Sequence, residues 1–432
     1  MTSVLAATDR SVSPAQGIHG TLRVPGDKSI SHRAALFNAL GDGHATIVGF
    51  SPGADCDSSL GCLRGLGVEI EREGDRVELI GRGLHGLAEA SDLLDCGNSG
   101  TTMRLMSGML AGAGIFSVLT GDGSLRRRPM ARIVEPLRRA GAHIDARDGG
   151  RLPPLAISPV ASLRSVEHFP SVASAQVKSA LLLSGLFADG PTRVVELAAT
   201  RDHTERLLRA MGARVEVEVD GLAVTVEPPE RLRCVDVVVP GDFSSAAFWL
   251  ALGVLHPSAE VRIENVGINP TRTGLLTILE NMGANVELRN ERDVAGEPVA
   301  DLVARSSQLH GTRVADALVP LAIDEISLVA LLGLFADGET VVADASELRA
   351  KESDRLAVVA DGLAALGGDI TATEDGWRIR RSTLRRGRAD SQGDHRMAML
   401  FALAGAVGAG AEIGGADSVA ISYPSFWSDL ER

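Results

Sequence analysis

The sequence is short of aromatic side chains, which make up 3% of its 432 residues, and it has only four cysteines. Cys56, Cys62, Cys96 and Cys234 form no CxxC pair and lie in no Cys/His cluster with zinc spacing. They read as reduced structural thiols of a cytoplasmic protein, with no metal site. Surplus positive charge is also missing. A net charge of −13 argues against a general nucleic-acid binder, whose affinity comes from neutralising phosphates. Any basic site must therefore be local. No apolar run reaches transmembrane length, because Gly, Asp or Arg interrupts each one. Met1 to Gln16 lacks the charged start and apolar centre of a signal peptide and reads as a loose tail. The chain is long for one core, so two domains are expected.

Glycine, by contrast, is plentiful, at 48 residues. One stretch shows its use: Gly97-Asn98-Ser99-Gly100-Thr101-Thr102-Met103-Arg104, followed by an apolar run to Leu110. Glycine lets several N–H groups point one way, and a hydroxyl can cap the helix that follows. A helix N-terminus attracts anions, and Arg104 in the first turn adds a full charge. The stretch reads as a cradle for an anionic small molecule; an ordinary capped helix is the plainer alternative.

The same device recurs six times. Five segments end alike: Gly65-Leu66-Gly67-Val68, Ala140-Gly141-Ala142, Met211-Gly212-Ala213, Met282-Gly283-Ala284 and Leu366-Gly367-Gly368. Each reads as a helix stopped by glycine that passes into an alternating strand. Upstream of each lies a polar cap, a nearly all-apolar helix, a turn and a β-rich run. Leu181 to Gly190 and Leu331 to Gly338 are almost identical examples. The first helix of each copy should be buried, and the second, amphipathic helix should cover a surface. The sixth copy starts at Asp394-His395-Arg396 and ends without its closing strand. Six copies suggest an α/β protein of two pseudo-symmetric domains. One takes residues 25–242 and the other residues 1–24 with 243–432.

Before the buried helices stand Asp27-Lys28-Ser29 with Arg33, Asn98 to Arg104, Ser174-Ala175-Gln176, Asp242-Phe243-Ser244, Asp324-Glu325 and Asp394-His395-Arg396. Ser, Asp and Asn are common caps, but Lys28, Arg33, Arg104 and Arg396 oppose the helix dipole there. Such cations should cost stability unless an anion is bound. Two further basic runs, Arg126-Arg127-Arg128 and Arg349 to Arg355, offer guanidinium forks suited to carboxylate and phosphate. In the second run Glu352 stands between cations, as a tuned proton donor or acceptor would.

Taken in order, these motifs resemble the EPSP synthase (3-phosphoshikimate 1-carboxyvinyltransferase) family over nearly the whole chain. The carrying motifs are Pro25-Gly26-Asp27-Lys28-Ser29, Gly97 to Arg104, Arg128-Pro129-Met130, Ser174-Ala175-Gln176, Lys351-Glu352-Ser353-Asp354-Arg355 and Asp394-His395-Arg396. Arg201-Asp202-His203-Thr204-Glu205 and Asn269-Pro270-Thr271-Arg272 resemble the family's second class. The resemblance implies two inverse-αβ barrel domains, each of three βαβαββ units, with the active site in the cleft. It implies transfer of the enolpyruvyl group of phosphoenolpyruvate to the 5-hydroxyl of shikimate 3-phosphate, through a tetrahedral intermediate and without metal or cofactor. It assigns Lys28, Ser29, Arg33, Ser174, Gln176, Arg201, Asp324 and Lys351 to shikimate 3-phosphate. Phosphoenolpyruvate is assigned Lys28, Gly100, Arg128, Gln176, Arg355 and Arg396. Proton transfer falls to Asp324, Glu352 and Lys28. A monomer with no nucleic-acid or membrane partner is implied.

One departure is the stretch Ala420-Ile421-Ser422-Tyr423, where many members carry a Lys that reaches phosphoenolpyruvate. Another concerns the inhibitor glyphosate. The second-class motifs accompany tolerance, yet tolerant members carry Ala where this chain has Gly100, so inhibition is expected. The alternatives are the related transferase acting on UDP-N-acetylglucosamine and a non-catalytic scaffold of the same repeats. The first typically carries a loop Cys, which Gly121 to Met130 lacks. The second should have lost some of Lys28, Asp324, Glu352 and Arg396, all of which are present.

Overall fold

Five glycines in the left-handed region end the second helix of five copies: Gly67 (φ 82°), Gly141 (101°), Gly212 (94°), Gly283 (78°) and Gly367 (92°). A Cβ at such a φ meets the backbone, so glycine both stops the helix and aims the next strand. The structure is a computed structural model and describes residues 9–432.

The second, third and fifth copies each build one four-stranded sheet from their own strands. In the second copy Leu94–Asp95 pairs in parallel with Ser117–Thr120, which pairs antiparallel with Leu152–Ser158, and His143–Ala146 forms the far edge. The parallel pair is joined through the helix Gly100–Gly112, and the amphipathic helix Ala131–Arg139 precedes the hairpin. The third copy repeats this order with Glu167–His168, Thr192–Val195, Ala223–Val226 and Val215–Val217, and the fifth repeats it with Arg313–Val314, Glu339–Val342, Trp377–Arg380 and Asp369–Ala372.

The remaining copies borrow strands from far along the chain. In the first, Gly41–Val48 takes its parallel partners from Leu232–Arg233 and Val237–Val238. In the fourth, Ala259–Gly267 pairs in parallel with Ile18–Leu22. In the sixth, Arg10–Val12 lies antiparallel to Ala411–Gly414, where the other copies place a hairpin strand. The sixth copy lacks a closing strand of its own, and the beginning of the chain supplies one.

The first helices are buried along almost their whole length, as Phe243–Leu255 and His395–Val407 are at every residue or nearly so. In the discontinuous unit, Phe243–Leu255, Ile326–Gly333 and His395–Val407 pack on one another inside the sheets. Helices inside and sheets outside are what an inverse-αβ barrel means. The chain divides into two compact units, Gly26–Val239 and Met1–Pro25 with Pro240–Arg432, each with its own hydrophobic core. The expected limits at 24/25 and 242/243 differ by one residue at the first and three at the second. The Asp242 N–H donates to the Pro25 carbonyl at 2.8 Å, and Gly241 bridges to Val266, which ties this stretch to the second unit.

Candidate active site

Four of the six buried helices start on a side-chain cap. Asp27 accepts from the Ile30 N–H at 2.9 Å, Ser99 from Thr102 at 3.1 Å, Asp242 from Ser245 at 2.9 Å and Asp394 from Arg396 at 3.0 Å. Ser174 and Glu325 stand at the other two starts and make no such bond, contrary to the uniform capping expected. Glu325 instead accepts from the Ser244 hydroxyl, and the Asp324 carboxylate pairs with Lys351.

On the unit Gly26–Val239, Lys28 is the first residue of its helix, and its Nζ lies 3.0 Å from Asp55 Oδ2. That carboxylate corrects the expectation that the cation sits uncompensated against the dipole, and Asp55 carries no motif that would have marked it. Arg33 is buried. Its Nε donates to Thr204 Oγ1 at 2.8 Å, Nη2 to Ser179 Oγ at 2.7 Å and Nη1 to the Ser29 carbonyl at 2.9 Å. It thereby ties the first copy to the third.

The Gly97–Arg104 stretch is a junction of side chains. Arg104 donates to Gln176 Oε1, and the Gln176 amide donates to Thr101 Oγ1 at 2.8 Å. Arg128 is buried while Arg126 and Arg127 are exposed, so the structure sorts one guanidinium out of the run of three. Its Nη1 donates to the Asn98 carbonyl at 3.1 Å and Nη2 to Asn98 Oδ1 at 2.6 Å. A Cβ on Gly100 would stand 2.8 Å from Arg104 Nη1 and 3.3 Å from Arg128 Nη1. The bare glycine lets both guanidinium groups close over the helix start.

Beneath this junction runs a chain of buried hydroxyls. His32 Nδ1 lies 2.8 Å from Ser59 Oγ, which lies 2.8 Å from Thr102 Oγ1, which donates to Ser99 Oγ at 2.8 Å. Burial, with Lys28 and Arg33 adding to it, holds His32 well below the usual histidine range, so it stays neutral.

The other unit gathers its expected residues in one cluster. Arg355 is buried, and its Nε donates to Asp394 Oδ2 at 2.8 Å and its Nη2 to Glu352 Oε2 at 2.6 Å. Asp324 lies 3.7 Å from Arg355 Nη1 and 3.4 Å from Lys351 Nζ. Arg396 Nη1 reaches the Asp324 carbonyl at 3.4 Å. Burial alone would raise Asp394, but the charge and hydrogen bond of Arg355, with His395 adding to them, together hold the carboxyl below its ordinary range. Burial lowers Lys351; Asp324 opposes that shift and Arg355 adds to it. Arg349, from the same basic run, is exposed and binds Asp354 and the Thr373 and Glu374 carbonyls, so it pins the loop. Tyr423 is buried and accepts from the Trp249 indole at 3.1 Å, so the stretch without a Lys is anchored in the core at its last residue, while Ala420 is exposed.

The cap motifs carry none of the signal for Asp55 or for the hydroxyl of Ser59, which are ordinary residues until the fold brings them to the helix starts. Among the described residues no group of three or more His, Cys, Asp or Glu could hold a metal ion, and no helix is long and apolar enough to cross a membrane.

The sequence matches the model of the EPSP synthase (3-phosphoshikimate 1-carboxyvinyltransferase) family over residues 12–430. The chain belongs to the EPSP synthase family. It is similar to the 3-phosphoshikimate 1-carboxyvinyltransferase of Herpetosiphon aurantiacus, with 51% identity over 97% of both chains. The protein of that name from Roseiflexus castenholzii is 50% identical over 96% of this chain and 97% of its own. Among solved structures, the EPSP synthase from Acinetobacter baumannii superposes with a TM-score of 0.86, at 41% identity and over 98% of each chain.

Proposed function

We propose that Lys28, Ser29, Arg33, Ser174, Gln176, Arg201, Asp324 and Lys351 hold shikimate 3-phosphate, and that Lys28, Gly100, Arg128, Gln176, Arg355 and Arg396 surround phosphoenolpyruvate. The enzyme transfers the enolpyruvyl group of phosphoenolpyruvate to the 5-hydroxyl of shikimate 3-phosphate and releases phosphate. In the addition step the hydroxyl O–H bond breaks, the oxygen bonds to the central carbon of phosphoenolpyruvate, and the vinyl carbon takes a proton. In the elimination step the carbon–phosphate oxygen bond breaks and the new methyl group returns a proton.

One observation carries the assignment. Lys28, Arg104, Arg128, Lys351, Arg355 and Arg396 each stand at the start of a buried helix or bond to a residue that does. Helix dipoles and side-chain cations therefore add at the same places, as dianionic substrates require. Asp324, Glu352 and Lys28 are the proton-transfer groups. Asp324 has two cations beside it, Lys351 at 3.4 Å and Arg355 at 3.7 Å, and takes the proton at the hydroxyl, while Glu352 is steered by Arg355. The enzyme works as a cytoplasmic monomer on these two substrates, and glyphosate competes with phosphoenolpyruvate at Gly100.

The test is phosphate release from phosphoenolpyruvate, with and without shikimate 3-phosphate. Release that depends on shikimate 3-phosphate supports the reading. Release that is independent of it, or that requires UDP-N-acetylglucosamine, overturns it.

A further inference from the structure

A second buried ion cluster lies in the third copy. Lys178, on the helix Ala175–Gly185, is 2% exposed, and its Nζ lies 2.8 Å from Glu196 Oε2 and 2.7 Å from Glu205 Oε1, both carboxylates also being 2% exposed. The same Nζ donates to the Thr200 carbonyl at 3.3 Å. The Thr200 hydroxyl donates to Glu196 Oε1 at 2.5 Å. Burial alone would lower Lys178, but Glu205 and Glu196 outweigh it and keep the amine protonated.

A hydrophobic residue at position 178 would serve packing at least as well as an ion pair that must be stripped of water. What the cluster does that packing would not is grip one loop. The segment 196–202 joins the strand Thr192–Val195 to the helix His203–Ala210 and carries Arg201. Its first residue, Glu196, and its carbonyl at Thr200, the one bonded to the Arg201 nitrogen, are both tied to Lys178. Lys178 is also one turn along the helix that opens on Ser174 and Gln176. A single amine thus fixes the loop of Arg201 against the helix start of Ser174.

We infer that Lys178 is a positioning residue, holding the 196–202 loop so that Arg201 and Ser174 present one preformed surface to shikimate 3-phosphate. The inference rests on the proposed assignment of Arg201 and Ser174 to that substrate. The side chain itself touches no substrate; it acts through the Thr200 carbonyl and Glu196.

Removing Lys178 would strand two buried carboxylates and could prevent folding, so the sharper variant is Glu196→Gln, which keeps the shape and removes the charge that grips Lys178. Calorimetric titration with shikimate 3-phosphate is run on the parent, Glu196→Gln, Arg201→Ala and the double variant. Glu196→Gln should raise the dissociation constant about tenfold, leave the KM for phosphoenolpyruvate within about twofold, and add nothing once Arg201 is Ala. Glu196→Asp, which shortens the reach to Lys178, replaces Glu196→Gln if that variant does not fold. An unchanged dissociation constant in the Glu196 variant, or the same factor appearing again on top of Arg201→Ala, overturns the positioning role. If Arg201→Ala alone binds shikimate 3-phosphate like the parent, the assignment of Arg201 has failed, and the inference falls with it by a different signature.

Discussion

The first and fourth copies open on the same words, Val24-Pro25-Gly26-Asp27 and Val239-Pro240-Gly241-Asp242. In both, the aspartate caps a buried helix at 2.9 Å. The next residue differs. In the first copy it is Lys28, its side chain 18% exposed and paired with Asp55. In the fourth it is Phe243, fully buried in the core. The fourth copy also meets its capping carboxylate with Arg272, itself buried, which donates as well to Ser244 Oγ at 2.9 Å. One architecture thus serves two ends. The cap and helix are common property, and the residue after the cap decides whether the helix start carries a part-exposed cation or closes on the core.

The strongest way to break this comparison is Lys28→Met. Loss of one cation that meets the transition state should lower turnover on the order of a thousandfold. Stability should fall as well, by roughly 1–3 kcal/mol, because Asp55 loses the partner of its buried carboxylate. Steady-state rates and urea denaturation read the two effects separately. Turnover near that of the parent would remove Lys28 from the chemistry.

In the fourth copy the matching cation is structural. Arg272→Met should cost about 3 kcal/mol or more, since it leaves Asp242 buried without that pair. The urea midpoint should drop with no change in slope. A midpoint within error of the parent would show that the fourth copy does not depend on the pair.

Gly100→Ala probes the second copy. The methyl would press on Arg104 and Arg128 before it reached any ligand, so the expected steric effect on glyphosate works partly through displaced guanidinium groups. The inhibition constant should rise at least about tenfold, or 1.4 kcal/mol of binding, while the KM for shikimate 3-phosphate barely moves. Inhibition assays of both forms at fixed shikimate 3-phosphate decide this; an enzyme already resistant at millimolar glyphosate, and unchanged by Ala, locates tolerance elsewhere.

The smallest contrast is between two serines at corresponding places. Ser99→Ala removes a cap and should cost about 1 kcal/mol. Ser174 makes no cap bond, so Ser174→Ala should leave stability within about 0.5 kcal/mol and raise the KM for shikimate 3-phosphate severalfold. Equal thermal shifts in the two variants would erase the distinction.

Much of the fold was legible before any coordinates. The repeated Gly67, Gly141, Gly212, Gly283 and Gly367 end helices because left-handed φ has a local signature. The all-apolar runs became buried helices for the same kind of reason: composition on every face leaves no side for water. At the candidate site, Lys28, Asp324 and Arg396 were legible as charges at helix starts, and Arg128, Glu352 and Arg355 as members of two basic runs. Their partners were not. Nothing near Asp55 in sequence marks it for Lys28, and nothing near Lys178 marks it for Glu196 and Glu205.

The sequence by itself determined what repeats: six helix starts, their polar caps, their glycine stops and the charges placed beside them. These are one-turn and one-strand patterns, read from residues a few positions apart. The tertiary structure alone decided how the copies close. Arg10–Val12 completes the sixth sheet, Ile18–Leu22 the fourth, and Val237–Val238 the first, with partners about two hundred or more residues away. It alone decided which cations are held by carboxylates and which Arg of a run of three is buried. Strand pairing and ion pairing depend on distance in space, and at such separations a local pattern carries no record of it.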